Sequence, residues 1–358
     1  MEPRALVIGG GIAGLQASLD LADLGCEVDL VEKGSKLGGR LLDMGKVFPT
    51  MESASDILSE IVARVLNHAK IRTHLRTEVT ALSGKAGDFL VEITTNADED
   101  SSNRTVLHVR GIILATGLEP VDAAIIPEFG YGRYKDVVTS LELERMMAIA
   151  ERDGKEFARL SDGMPVKTIA FIQCVGSRVE KRGVPYCSAV CCMGAIKNAI
   201  LIKERYPDVD VFILYIDIRA QGKGHEELYK MARRVGVRFI RGQPSMVLKK
   251  ARSERLLVCG ENTLLRELYE LPSDLVVLSL GLRQPEGNYR LLEMLGVQRM
   301  ADGLATENDP CIAPVESSVK GVFLIGTVNA PMDIRDSIVQ GSAAAAKMMA
   351  FIRNRGET

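Results

Sequence analysis

The sequence is short of several things. No run of eighteen apolar residues occurs in its 358, so no helix long enough to span a bilayer is expected. Net charge is almost missing: 45 Lys+Arg stand against 47 Asp+Glu, leaving −2. Such a balance gives no global reason to bind nucleic acid or an anionic membrane. The four histidines, His68, His74, His108 and His225, have no mutual spacing, and no catalytic histidine is assigned. There is no Ser/His/Asp set, no helical H-E-x-x-H and no basic–aromatic array. A signal peptide is also missing, because the opening apolar run ending at Ile8 is broken at once by glycines. A cytoplasmic protein is therefore expected.

What is present describes a globular chain. Hydrophobic residues make up 46% and charged residues 26%, which excludes a mostly disordered polypeptide. At ~150 residues per domain, the length predicts two domains. The seven cysteines, in a reducing compartment, are not expected to form a disulfide framework. They are unevenly placed: Cys174, Cys187, Cys191 and Cys192 fall within 19 residues. Cys26, Cys259 and Cys311 are isolated and read as small buried hydrophobes. Asp98-Glu99-Asp100 with Ser101 and Ser102 reads as a solvated hairpin-like turn.

The first chemical signal lies at the N-terminus. Ala5 to Ile8 reads as a short buried strand, running into Gly9-Gly10-Gly11-Ile12-Ala13-Gly14. Residues 15–24 then have helical apolar spacing. Gly25 closes that helix, Val28 to Val31 forms a second strand, and Glu32 follows Gly14 by 18 residues. Gly9 permits the tight turn, Gly11 lets the backbone approach a pyrophosphate, and Gly14 lets helix and strand pack closely. The helix N-terminus offers free N–H groups to the phosphates. Glu32 is positioned to accept hydrogen bonds from ribose hydroxyls. A dinucleotide is the expected ligand.

Gly34-Ser-Lys-Leu-Gly38-Gly39-Arg40 follows the second strand directly, and an NAD domain has no need of a second glycine pair there. In this the chain resembles the flavoproteins with two dinucleotide-binding domains, which include glutathione and thioredoxin reductases. Residues 111–117, ending Ala115-Thr116-Gly117, match a further strand of that family. Residues 321–327, ending Gly326-Thr327, match its late strand. The resemblance implies FAD, with Ile12, Ala13, Lys33, Leu41 and Val79 among the residues beside it. Thr327 stands where the family has an Asp that bonds the ribityl chain; a Thr hydroxyl can bond there without charge. Asp333 or a neighbour can cap a C-terminal helix whose small residues, Gly341 to Ala346, allow close packing. In the family this helix, here beginning near Ile334, points its N-terminus at the flavin pyrimidine edge, and its dipole would stabilise negative charge there.

The middle of the chain reads as a second Rossmann-like unit. A helix from Ser140, a polar loop from Glu151 to Lys167, a strand over Thr168 to Ile172, a helix from about Gly194 to Tyr206, and a strand over Val209 to Tyr215 follow in order. A pyridine-nucleotide reductase would carry a second Gly-rich loop after the first strand. Here Cys174, Cys187, Cys191 and Cys192 occupy that place, with spacings of 13, 4 and 1. There is no C-x-x-C redox pair. Soft thiolates suit zinc or iron–sulfur, although structural zinc usually shows two C-x₂₋₄-C knuckles. Arg178, Lys181, Arg182 and the following helix N-terminus could offset the charge of a cluster. Spacing alone leaves three readings open: an iron–sulfur cluster, zinc, or unligated buried cysteines.

Cys174-Val-Gly-Ser-Arg178, Tyr186-Cys187-Ser-x-x-Cys191-Cys192, the segment from Tyr215 through Arg219 to Glu226, and Val138 to Arg145 resemble the A-type subunit of heterodisulfide reductase. The similarity covers nearly the whole chain. It implies that the four cysteines hold a [4Fe–4S] cluster near the FAD. The methanogen proteins also carry ferredoxin-type cluster modules at their ends. No C-x₂-C-x₂-C run occurs here, so the chain is similar to the short Hdr-like A-type subunit of sulfur oxidisers.

The expected fold is α/β with two Rossmann-like domains: a discontinuous FAD domain, 1–135 and 285–358, and an inserted cluster domain, 136–284. The implied function is electron transfer between FAD and [4Fe–4S] within an Hdr-like complex, as a homodimer, in cytoplasmic sulfur oxidation. Two other readings stand beside it: a stand-alone NAD(P)H-dependent disulfide reductase, and a scaffold subunit with structural FAD.

Overall fold

The computed structural model describes residues 3–96, 103–154, 157–250 and 254–354. The acidic turn read at Asp98 to Ser102 lies outside them. The described residues form seven α-helices: α1 (Ile12–Asp23), α2 (Ala54–Asn67), α3 (Ser140–Asp153), α4 (Cys191–Arg205), α5 (His225–Arg234), α6 (Glu286–Met294) and α7 (Ile334–Arg353). The chain divides into two compact units. The first holds everything up to Leu42, then Ala54–Glu119 and the residues from Arg283 onward; the second holds Asp43–Ser53 and Pro120–Leu282.

The first unit is built on aliphatic strands buried on both faces, as parallel strands require. Its seven-stranded sheet runs in the order Glu307–Asp309, Ala313–Ser317, Val322–Leu324, Gly111–Leu114, Arg4–Ile8, Glu27–Val31, Ile71–His74. The last five strands pair in parallel, and the first two join antiparallel. One face packs on α1, α2 and α7. The other packs on a three-stranded antiparallel sheet (Thr77–Lys85, Asp88–Thr95, Asn103–Val109) and α6. Gly25, in the left-handed region at φ +92°, ends α1 and turns the chain into its second strand.

The second unit has a five-stranded parallel sheet in the order Arg238–Arg241, Asp210–Tyr215, Thr168–Val175, Leu275–Leu280, Val137–Thr139. Helices α3, α4 and α5 cover one face. A second antiparallel sheet (Met246–Lys249, Leu256–Asn262, Glu267–Ser273) covers the other. A capping box starts α3: Thr139 accepts from the Glu142 N–H and Glu142 accepts from the Thr139 N–H.

The unit boundaries differ from the sequence expectation in three places. The sequence places Asp43–Ser53 with the first domain, yet Phe48 and Met51 pack into the core of the second unit. Residues 120–135 also belong to the second unit, where Phe129, Tyr131 and Tyr134 pack under its antiparallel sheet. Arg283 and Gln284 go the other way: Arg283 pairs with Glu119 at 2.9 Å, and Gln284 donates to the Val328 carbonyl. Local hydrophobic pattern carries no information on which of two cores an isolated apolar residue joins. Helix α4 also begins three residues earlier than expected, at Cys191.

Candidate functional site

The first unit presents two glycine-rich segments side by side. Gly9 lies in the left-handed region at φ +112°, and a Cβ there would stand 2.4 Å from the Ala115 carbonyl oxygen. Gly14 is held as tightly, against the Gly9 carbonyl. Gly11 is different. Its backbone is extended, at φ −75° and ψ 179°, and a Cβ there would meet no atom within 4 Å. Gly9 and Gly14 are required by the fold; at Gly11 the fold leaves space. Gly38 bridges to Gly11 and donates to the Gly10 carbonyl at 2.8 Å, while a Cβ on Gly39 would stand 3.0 Å from the Gly11 Cα.

Gly11 caps α1 without any side-chain hydrogen bond, so Ile12 and Ala13 open the helix with N–H groups that no cap side chain takes up. Glu32 has a role the sequence reading missed. Its Oε2 accepts from the Gly10 N–H at 2.7 Å and its Oε1 from the Gly34 N–H at 2.6 Å. It thereby ties both glycine segments to the end of the second strand. Lys33 pairs with Glu78 at 3.0 Å on the surface, Arg40 is exposed, Leu41 is buried, and Val79 packs partly into the core beside the antiparallel sheet.

Three further stretches meet here. Ala115 donates to the Ile8 carbonyl at 2.8 Å, and the buried Thr116 hydroxyl has no partner among the described residues. Gly117, at φ +70°, accepts from Asn288 at 3.0 Å. Thr327 accepts the Leu118 N–H at 3.0 Å, so its hydroxyl is already engaged by the protein. Gly326 donates to Gln340 at 2.9 Å. Asp333 caps α7 by accepting from the Asp336 N–H, and Ile334 is the first helical residue. Gly341 lets α7 approach α1, since a Cβ there would stand 2.8 Å from the Ala13 carbonyl. Gln340 and Asn288 were invisible in the sequence, because a lone amide in a helix has no spacing signature.

In the second unit the strand Thr168–Val175 is buried throughout and slips register between Ile172 and Val175. Cys174 sits in the slip at φ +59°, a conformation a non-glycine residue rarely adopts. A closed loop follows. Ser177 donates to the Tyr186 carbonyl at 2.8 Å and accepts from the Ser188 N–H at 3.2 Å, and Ser188 accepts from Leu282 at 2.8 Å. The loop delivers Cys187 and then α4, whose first two residues are Cys191 and Cys192. The Ala189 N–H donates to the Cys187 sulfur at 3.3 Å. The Cys191 and Cys192 thiols point at the carbonyls of Leu280 and Asp217, at 3.4 and 3.5 Å.

The four sulfurs lie close enough to act on one another. Burial pushes the Cys174 thiol up to about 11; Cys192 and Cys187 add to the shift, and the Arg178 guanidinium opposes it. Burial also pushes Cys191 well above the ordinary thiol range, reinforced by Cys174, Cys192 and Cys187. Cys192 is raised by burial, against the Arg219 N–H and the charges of Arg219 and Arg178. Four thiols that would repel one another as thiolates suit a polynuclear cation better than solvent. Among the described residues no group of three or more His, Cys, Asp or Glu is drawn together around one point, as a single metal ion requires.

Of the three nearby cations, only Arg178 acts on the thiols. Arg182 pairs with Glu128 at 2.8 Å, and Lys181 is exposed. The remaining cysteines correct the sequence reading in part. Cys26 is buried, but Cys259 is half-buried and Cys311 is exposed. Cys311 stands in a turn held by Asp309, which accepts the N–H groups of Cys311 and Ile312. The histidines remain scattered: His68, His74 and His108 pair with Asp23, Asp29 and Asp88, and His225 is buried beside Phe48.

A buried ion pair in the second unit was also missed. Lys197, on α4, donates to Glu144 at 2.7 Å and to the Lys46 carbonyl at 2.9 Å. Asn198 donates to the same carboxylate, which also accepts the Gly45 N–H at 3.0 Å. Lys197 and Glu144 are 53 residues apart, so no local pattern couples them.

Residues 1–131 match the family described as pyridine nucleotide-disulphide oxidoreductase. The fold is similar to thioredoxin reductase from T. acidophilum, with a TM-score of 0.63 over 98% of this chain and 99% of that one, at 17% identity. Two sequence relatives decide the kinship. The second of two A-type iron–sulfur subunits of CoB--CoM heterodisulfide reductase in Methanopyrus kandleri is 36% identical over 96% of this chain. The A-type subunit of the H(2):CoB-CoM heterodisulfide,ferredoxin reductase of Methanothermobacter marburgensis is 37% identical over 97%. This chain is a homologue of the heterodisulfide reductase A-type subunits. It spans 63% of the length of each of these two relatives. Its two-unit architecture is that of the thioredoxin reductase-like oxidoreductases, as the sequence resemblance implied. Among the described residues no helix is long and apolar enough to cross a membrane.

Proposed function

We propose that this homologue of the heterodisulfide reductase A-type subunits is a flavin and iron–sulfur electron-transfer component of an Hdr-like complex. The observation that carries the reading is the cysteine set. Cys174, Cys187, Cys191 and Cys192 act on one another at the start of α4, in the slot where a pyridine-nucleotide reductase keeps its phosphate loop. Gly11, with its open space, the uncapped start of α1 and the unpartnered Thr116 hydroxyl support FAD in the first unit. Gly38, Gly39, Arg40, Thr327 and Ile334 would line the same cofactor.

FAD exchanges electrons singly or in pairs and a [4Fe–4S] cluster singly, so the two supply conversion between those modes. The chain's own residues bind, orient and bury them. Gly9 and Gly14 fix the turn, Glu32 clamps it, and the four thiolates take the cluster. No acid–base residue is assigned, and a different polypeptide of the complex would carry out the sulfur chemistry. The full reading is a homodimer in the cytoplasm, acting in the oxidation of protein- or cofactor-bound sulfur.

Anaerobic purification followed by flavin, iron and acid-labile sulfide analysis and a visible spectrum tests it. The expected result is about one FAD and about four iron and four sulfide per chain. One zinc without sulfide would overturn the electron-transfer reading and leave the dinucleotide fold standing.

A further inference from the structure

The cysteine loop carries one charged device whose purpose the fold alone does not require. Arg178 is one of only seven described non-glycine residues with positive φ, at +64°. Its backbone is pinned there by an N–H donated to the Tyr186 carbonyl at 3.1 Å. That conformation turns the side chain toward the cysteines, where its charge acts on Cys174, Cys187 and Cys192. The guanidinium is held by Asp217 at 2.8 Å. Asp217 is itself tied to the set, since its main-chain carbonyl faces the Cys192 sulfur at 3.5 Å.

We propose that Arg178 and Asp217 are positioning residues that set the reduction potential of the group held by the four cysteines. The proposal rests on the iron–sulfur reading above. When the cluster takes one electron from a low-potential donor, its charge becomes one unit more negative, and no bond to the protein changes. A nearby guanidinium favours that reduced state, and a nearby carboxylate opposes it. Arg178 therefore raises the potential, and Asp217 both orients Arg178 and moderates it. Arg219 and Arg241 also act on Asp217, and the Arg219 charge, with its N–H, acts on Cys192 beside that of Arg178, so the two arginines pull the potential the same way.

The test is a dye-mediated redox titration of the full chain, purified anaerobically and followed by the EPR signal of the reduced cluster. Arg178→Gln should lower the reduced-to-oxidised ratio at a given potential about threefold or more. Asp217→Asn should raise the ratio, and Arg178→Lys, which keeps the charge, should stay within about twofold of wild type. Opposite signs from two residues of one pair cannot come from loosened packing. If Arg178→Gln loses its iron, Asp217→Asn decides, and an unmoved potential in that variant overturns the proposal. So do shifts of the same sign in the two neutralising variants. Wild-type protein without iron and sulfide would instead defeat the iron–sulfur reading itself, a separate outcome.

Discussion

A Cβ on Gly14 would stand 2.0 Å from the carbonyl oxygen of Gly9. At Gly11, three residues away, it would touch nothing. The two glycines should therefore fail in different ways. Gly14→Ala forces a main-chain clash and should lower the melting temperature or abolish soluble expression. Gly11→Val should fold with the melting temperature of FAD-stripped wild type and lose its yellow colour, because the new side chain fills the space left for the pyrophosphate. Full FAD content in Gly11→Val would remove the phosphate-loop assignment.

Replacing any of Cys174, Cys187, Cys191 or Cys192 with Ala should lower iron content and change the EPR signal. The same change at Cys26 should cost packing only, about 1 kcal/mol. At Cys259 and Cys311, which are half-buried and exposed, it should leave both iron and stability unchanged. Cys192→Ala is the sharpest of these, since adjacent residues must both be ligands. A full cluster with unaltered spectra in that variant would show the ligand set to be wrong.

Asp29 is buried, with Arg4 at 2.5 Å on one side and His74 at 2.8 Å on the other. Burial opposes its ionisation, but the hydrogen bonds from His74 and Arg4 outweigh that, and its pKa falls below the ordinary Asp value. Folded Asp29 thus holds its proton less tightly than unfolded Asp29. The stability it contributes is present above the ordinary Asp pKa and is lost as pH falls through the lower folded value. Asp29→Asn should destabilise the protein by about 3 kcal/mol at neutral pH. Urea titrations near pH 7 and pH 3 should show the gap from wild type closing in acid.

Glu144→Gln leaves the Lys197 ammonium buried without a counter-charge and should cost about 3 kcal/mol or more. Lys197→Met removes the charge that needs pairing and should cost less. The double variant should cost less than the sum of the two, as a double-mutant cycle in urea would report. Burial pulls the Lys197 pKa down, against the pull of Glu144. Between the folded and unfolded values the unfolded chain binds more protons, so this residue makes stability rise with pH there, and Lys197→Met should flatten that rise.

The homodimer is expected to appear in light scattering at micromolar concentration as twice the chain mass. A single-chain mass would count against it.

Much of the first unit is legible because its signals are local. The run from Ala5 to Glu32 puts strand, turn, helix and acid within 28 residues, and Gly9 and Gly14 each have a steric reason to be there. Glu32 was legible as a residue but not in its hydrogen bonds, since Gly10 and Gly34 come within reach only once the loops fold back. The four cysteines were legible from their crowding alone. Their approach to one another depends on the left-handed turn at Cys174 and on α4 starting at Cys191, and neither leaves a mark in composition. Lys197 and Glu144 were lost for the opposite reason. An interior lysine on a helix looks like any surface lysine until the segment that buries it is in place.

That segment, Asp43–Ser53, has a consequence for how the protein can be taken apart. Both of its neighbours in the chain belong to the first unit, while its Lys46 carbonyl completes the coordination of a buried ammonium in the second. No single stretch of gene therefore encodes the second unit. A fragment cut at Pro120 and Leu282 would carry Lys197 and Glu144 but not the Lys46 carbonyl, and would expose the surface that Phe48 and Met51 cover. The cysteine-bearing half cannot be moved between proteins as a cassette. Recombination that preserves it must carry along the loop immediately behind the Gly38–Gly39 pair, and so ties the inheritance of one half to that of the other.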